Sequence, residues 1–173
     1  MNKEWPVILS KRHSHGFNGL IYSGHLSSFI LRRYGYMEYQ LNGENFLLII
    51  NPKVFEEDIR LPSNTALEVI VQSNGFSAHT AMDIDIKEFA KFALDLNHIY
   101  ETLSGEARIE EPYGVRMYIS FIGNGRGHIA VKGFLHREDG AGNEQRLEFE
   151  NEVDQTCLKN FSCALLRDCK KYL

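Results

Sequence analysis

The chain has 173 residues, with 19 Lys+Arg against 23 Asp+Glu, a formal net charge of −4 and 43% hydrophobic residues. That balance excludes disordered and fibrous classes, and a chain of this size buries roughly 70% of the surface its unfolded form exposes, so one domain over residues 1–173 is expected to fold without metal or disulfide staples. The slight acidic excess argues against a nucleic-acid partner, and the longest apolar run, residues 46–50, falls far short of the ~20 residues a membrane span needs. No apolar signal stretch follows Met1-Asn2-Lys3-Glu4-Trp5-Pro6, so a cytoplasmic location is expected.

From the N-terminus, residues 25–32, 34–41 and 44–50 read as strands of a meander, with 33–35 and Asn42-Gly43 as turns. Leu67, Val69 and Val71 then alternate with Glu68, Ile70 and Gln72. Asn74-Gly75 turns the chain into a second alternating run through Phe76, Ala78, Thr80, Met82 and Ile84, which predicts a β-hairpin.

The period then changes. Residues 85–103 read as an amphipathic helix opened by a capping box of Asp85 and Glu88. Ile86, Phe89, Ala90, Phe92, Ala93, Leu96, Ile99, Tyr100 and Leu103 share its apolar face, with Leu94 at the border. Ser104-Gly105 is expected to end it, with Gly105 supplying the left-handed conformation. So wide an apolar face must cover a sheet.

Residues 115–122 and 128–136 form two more alternating runs, joined by Gly123-Asn124-Gly125-Arg126-Gly127. After the Gly140-Ala141-Gly142-Asn143 turn, residues 147–153 place Leu147, Phe149 and Val153 on one face and Glu148, Glu150 and Glu152 on the other. Asp154 caps a final helix, about residues 155–170, in which Leu158, Phe161, Leu165 and Cys169 fall at helical spacing. Strands grouped around two helices, without strand-helix-strand alternation, predict an α+β domain of antiparallel sheet with both helices packed on it.

Few patterns carry chemistry. Gly123-x-Gly125-x-Gly127 has His128 where a dinucleotide-binding fingerprint needs its third glycine, so it reads as a structural turn. His13 and His15, joined by His25, have the right nitrogen donors for a metal but no supporting motif, and read as a polar loop. His128 and His136 share a strand face with Lys132 and Phe134 but stand ~27 Å apart along the strand, too far to touch. Cys157 sits near a helix N-terminus, where a thiolate is favoured, without a partnered base. Cys157, Cys163 and Cys169 are spaced so that they do not share a helix face, which points to reduced apolar residues and away from a metal site. No catalytic residue, cofactor or metal is therefore expected. The glutamates Glu148, Glu150 and Glu152, continued by Asp154, form the most concentrated same-sign stripe. Such a stripe either solubilises a wet strand face or steers a basic protein partner.

Three segments together resemble a known family. Leu103-Ser104-Gly105-Glu106-Ala107, Gly125-Arg126-Gly127-His128-Ile129 and Asp154-Gln155-Thr156, in that order, are similar to the WapI-type immunity proteins of bacterial toxin systems. The resemblance runs from about residue 66 to the C-terminus and takes in the Ser73-Asn74-Gly75-Phe76-Ser77 turn; residues 1–65 add nothing to it. It implies a cytoplasmic, non-catalytic protein that binds and neutralises a cognate toxin domain, often a nuclease. It transfers no toxin-binding positions. Gly105, Gly125, Arg126, Gly127, His128, Asp154 and Thr156 are then expected to be structural, with Arg126 and His128 fixing the hairpin and Asp154 and Thr156 capping the helix. Glu148, Glu150 and Glu152 are the expected toxin contacts. Two competing readings are a small-molecule-binding or enzymatic domain, with a pocket between sheet and helix that uses His128, His136 or Cys157, and a structural subunit that assembles through sheet edges.

Overall fold

A computed structural model describes residues 37–173. Two antiparallel four-stranded sheets are each followed by a helix. The first contains β1 (Tyr39–Gly43), β2 (Phe46–Val54), β3 (Thr65–Ser73) and β4 (Phe76–Ile84), in that spatial order. Helix α1 (Ile86–Thr102) leads into the second, formed by β5 (Ser104–Glu110), β6 (Tyr118–Asn124), β7 (His128–Glu138) and β8 (Glu144–Asp154), and α2 (Gln155–Cys169) follows. This is the expected α+β class. The strand expected at residues 25–32 and the first residues of the one at 34–41 lie outside the described residues.

Both sheets are meanders, so each register is set by local turns. Asn74 and Gly75, at φ 48° and 89°, form the tight β3–β4 turn as expected. The β1–β2 turn is displaced from expectation: it falls at Glu44-Asn45, and Gly43 still pairs with Phe46. Gly43 serves close approach instead, since a Cβ there would lie 3.0 Å from Val153 Cγ1 on β8.

Helix α1 is held at both ends. The Asp85 carboxylate accepts from the Lys87 N–H at 2.8 Å, and the buried Asn64 accepts from the Ile86 N–H at 2.9 Å. Asn64 also donates to the carbonyls of Ile59 and Leu61, tying the loop after β2 to the helix start. At the other end the left-handed residue is Leu103, at φ 63°, not Gly105. The chain therefore enters β5 at once, a strand the sequence reading did not separate from the helix end.

The apolar face of α1 is buried as predicted, from Ile86 to Ile99, and Leu94 is exposed. It packs on β5 and on α2, and α2 reaches β1. Phe92, Phe121 and Phe161 pack in sequence as tilted ring pairs, with centroids 5.9 and 6.1 Å apart, and so join α1, β6 and α2. Phe46 and Phe149, 6.0 Å apart, join the two sheets. Burying each such ring contributes roughly 2–3 kcal/mol, so the contacts that position the sheets also stabilise the fold.

Candidate partner interface and a motif junction

The register of β5–β8 arranges the side chains turned away from the core into rows. Glu110, Tyr118, Phe134 and Glu148 form one row, followed by Arg108, Ser120, Lys132 and Glu150, then Glu106, Ile122, Ala130 and Glu152. The period-2 alternation of β8 places its three glutamates in one column, as expected, and all three are exposed. Glu150 and Glu152 keep 66% and 64% of their side-chain surface in solvent, so their charge is available to a partner.

The neighbouring basic side chains of the described residues leave much of this column's charge uncompensated, Lys132 being the one fixed cation among them. Lys132 Nζ lies 2.9 Å from Glu150, and His128 Nδ1 lies 3.1 Å from Glu152 and 4.0 Å from Asp154. Toward the opposite edge of the same face the Arg108 guanidinium sits 3.8 Å above the Tyr118 ring and pairs with Glu110, which also pairs with Arg116. The Arg108 hydrogen bond, assisted by Arg116, holds the Glu110 carboxyl below its ordinary range. The face thus presents an acidic column beside the half-buried aromatics Tyr118 and Phe134. Its chemistry suits docking of a basic surface.

The three motif segments meet elsewhere, at one junction. The Gly125 N–H donates to the Leu103 carbonyl at 2.7 Å, and the Gln155 N–H donates to the Gly127 carbonyl at 3.0 Å. The Gln155 side chain also donates to the Tyr100 carbonyl at 2.7 Å. Gly105, Gly125 and Gly127 all have positive φ. A Cβ on Gly123 would lie 2.5 Å from the Leu103 oxygen, which requires glycine there. The expected side-chain roles are corrected in part. Arg126 is exposed, and it is its backbone N–H, donating to Asn124 at 2.7 Å, that holds the turn. Asp154 occupies the N-cap position of α2 in extended conformation but makes no side-chain capping bond, and Thr156 is exposed.

His13, His15 and His25 lie outside the described residues. Cys157 is half-buried, Cys163 exposed and Cys169 buried, all as free thiols, and burial pushes the Cys169 thiol up to about 11. A cleft of about 300 Å³ between α1 and β5 is lined by Glu88, Lys91, Phe92, Asp95, Glu106 and Arg108, so the expected His128, His136 and Cys157 do not furnish it. A second groove, of about 350 Å³, lies between β4 and the ends of β7 and β8 and contains His136. Sequence reading missed it, because strands from two different sheets build it.

The model of the immunity protein WapI-like family matches residues 59–173, and no curated protein matches the chain. The chain belongs to the immunity protein WapI-like family.

Proposed function

From membership in an immunity family we propose that this chain binds and neutralises a cognate bacterial toxin domain in the cytoplasm, without catalysis of its own. A nuclease is the toxin class to test first, because an enzyme that holds nucleic acid needs a basic surface, and an acidic column is its electrostatic complement. The supporting observation is the exposed column of Glu148, Glu150 and Glu152 beside Tyr118 and Phe134 on the outer face of β5–β8. On this reading the partner is a protein, with no direct contact to nucleic acid or membrane, and the described elements act as a single unit.

A pull-down from the native host at low and moderate salt, read by mass spectrometry, identifies the toxin. Reversing Glu148, Glu150 and Glu152 to lysine is then expected to slow association about tenfold and flatten its salt dependence. Unchanged affinity and salt dependence would remove the surface from the interaction. Full toxin activity in the presence of excess folded chain would remove neutralisation itself.

A further inference from the structure

Strand β4 ends the first sheet, so one side of its backbone pairs with β3 and the other pairs with no strand among the described residues. The two-residue Asn74-Gly75 turn makes Ser73 and Phe76 a hydrogen-bonded pair. Alternate residues from Phe76 therefore aim their N–H and C=O groups at β3, and Ser77, His79, Ala81 and Asp83 aim theirs outward. Side chains already engage two of these outward groups. Arg137 Nη1 donates to the His79 carbonyl at 3.0 Å, and the Asp83 N–H donates to Glu111 Oε1 at 3.3 Å. Between and before them, the Ser77 and Ala81 groups and the His79 N–H have no partner among the described residues.

The groove of about 350 Å³ runs along this edge. Phe76, 69% exposed, Leu135 and Leu147 supply its apolar surface, and Arg137, Arg146 and His136 its polar surface. Among the described residues, no carboxylate lines it. Arg146 pairs with Glu144 at the rim, and His79 pairs with Glu68 at 2.7 Å, whereas Arg137 spends Nη1 on a carbonyl, which leaves its positive charge without a counter-ion in that bond. The His136 side chain is only 10% exposed, and its Nε2 is buried without a hydrogen-bond partner, 4.0 Å from Glu144.

An unpaired strand edge beside a positively charged groove with apolar walls fits one kind of occupant. We infer that the β4 edge between Ser77 and Ala81 binds an extended, acidic segment of a protein partner, which adds as a strand along β4 and turns its carboxylates to Arg137 and Arg146. Backbone hydrogen bonds supply the affinity of such an arrangement and side-chain pockets its specificity. The site is opposite in charge to the glutamate column and lies between β4 and the ends of β7 and β8, away from the outward rows that carry Glu150 and Glu152, so it does not depend on the toxin-binding reading.

The test uses the full chain and a fluorescein-labelled, capped peptide of alternating Asp and Val, with fluorescence anisotropy as readout. Two further probes are the same peptide N-methylated at alternate residues, which cannot pair as a strand, and its Lys-Val counterpart. Saturable binding of the acidic peptide is expected, weakened about tenfold or more by N-methylation and abolished in the Lys-Val version. Ser77→Pro removes an outward N–H without costing a β3 bond, and is expected to weaken binding comparably while the thermal melt stays unchanged. Arg137→Gln is expected to weaken it about fivefold and to reduce its salt dependence. Reversal of Glu148, Glu150 and Glu152 is expected to leave it unaffected, which separates this site from the proposed toxin face. No saturable binding to the wild type, equal binding after N-methylation, or equal binding of the Lys-Val peptide overturns the inference. A dimer of the free chain that Ser77→Pro dissociates also overturns it, because a second copy would then be the occupant. If Ser77→Pro does not fold, the N-methylated probe on the wild type decides.

Discussion

Gly133→Ala should destabilise the protein far more than its one added carbon suggests. Gly133 sits in β7 opposite Phe149, and a Cβ there would lie 2.4 Å from Cζ and 2.5 Å from Cε1 of that ring, and 2.9 Å from the Tyr118 carbonyl oxygen. The ring tip can retreat, but only by disturbing its packing on Phe46; the Tyr118 oxygen belongs to the β6 ladder and cannot. Overpacking of this kind costs about 1–3 kcal/mol, and the partial loss of a ring contact between the sheets moves the expectation toward about 3 kcal/mol. At roughly 2–4 °C per kcal/mol for a chain of this size, Gly133→Ala should lower the Tm by about 6–12 °C, with the urea m-value unchanged. The added variant Phe149→Leu tests the cause, since a smaller side chain at that position should recover at least about 1 kcal/mol relative to additivity. A Tm within about 1 °C of wild type for Gly133→Ala, or strictly additive effects, would refute the argument.

Other outcomes follow from the caps and the carboxylates. Asn64→Ala should cost about 2 kcal/mol in urea denaturation, because it strips an acceptor from the α1 N-terminus at a buried position, whereas Asp154→Ala should cost under about 0.5 kcal/mol, since its carboxylate makes no capping bond. Burial raises the Glu111 carboxyl above its ordinary value of 4.5, outweighing the backbone N–H bond from Asp83 that lowers it, so the folded state binds this proton more tightly than the unfolded state. Its contribution is fully present below the unfolded value and lost as pH rises through the folded one; Glu111→Gln should therefore gain stability relative to wild type between about pH 4 and 7. Glu68 behaves oppositely: hydrogen bonds from Asn51 and then His79 lower its carboxyl, so its contribution is present above the unfolded value and fades as pH falls. Glu68→Gln should accordingly lose stability relative to wild type over the same titration, and parallel pH curves for the two variants would contradict at least one of the assignments.

Legibility in the sequence tracked how local the determining interaction was. The β3–β4 hairpin could be read because an Asn-Gly turn and a clean alternation are both contained in adjacent residues. The buried face of α1 and the glutamate column of β8 could be read from periodicity alone. Strand β5 escaped because its inner side carries only Ala107 and Ile109 between Glu106, Arg108 and Glu110, and a left-handed leucine, not a glycine, separates it from the helix. Gly43 was misread as a turn residue because its constraint comes from Val153, far away in the chain. For the same reason neither the Gly133–Phe149 contact nor the groove beside β4 could be foreseen: each needs the register of one sheet and its placement against another chain segment.

The geometry also separates what family membership fixes from what it leaves open. The three segments that carry the resemblance converge through backbone hydrogen bonds, from Gly125 to Leu103 and from Gly127 to Gln155, around glycines at positive φ. Bonds between main-chain groups specify how α1, the β6–β7 turn and α2 are joined; they present no side chain to a partner. The side chains projecting from the junction, Arg126 and Thr156, are exposed and can change with little cost to the fold. The matched stretch starts after β2, yet β2 pairs with β3 along its whole length, and Phe46 packs on Phe149, so the scaffold reaches beyond the matched residues. On our two proposals partner choice is written where substitution does not disturb that scaffold: on the outward rows of β5–β8 and along the edge of β4 that pairs with no other described strand. Because these two surfaces differ in charge, a single protein that engages both must carry a basic patch and an acidic extended segment. That requirement is a sharper criterion for recognising the cognate toxin than net charge alone.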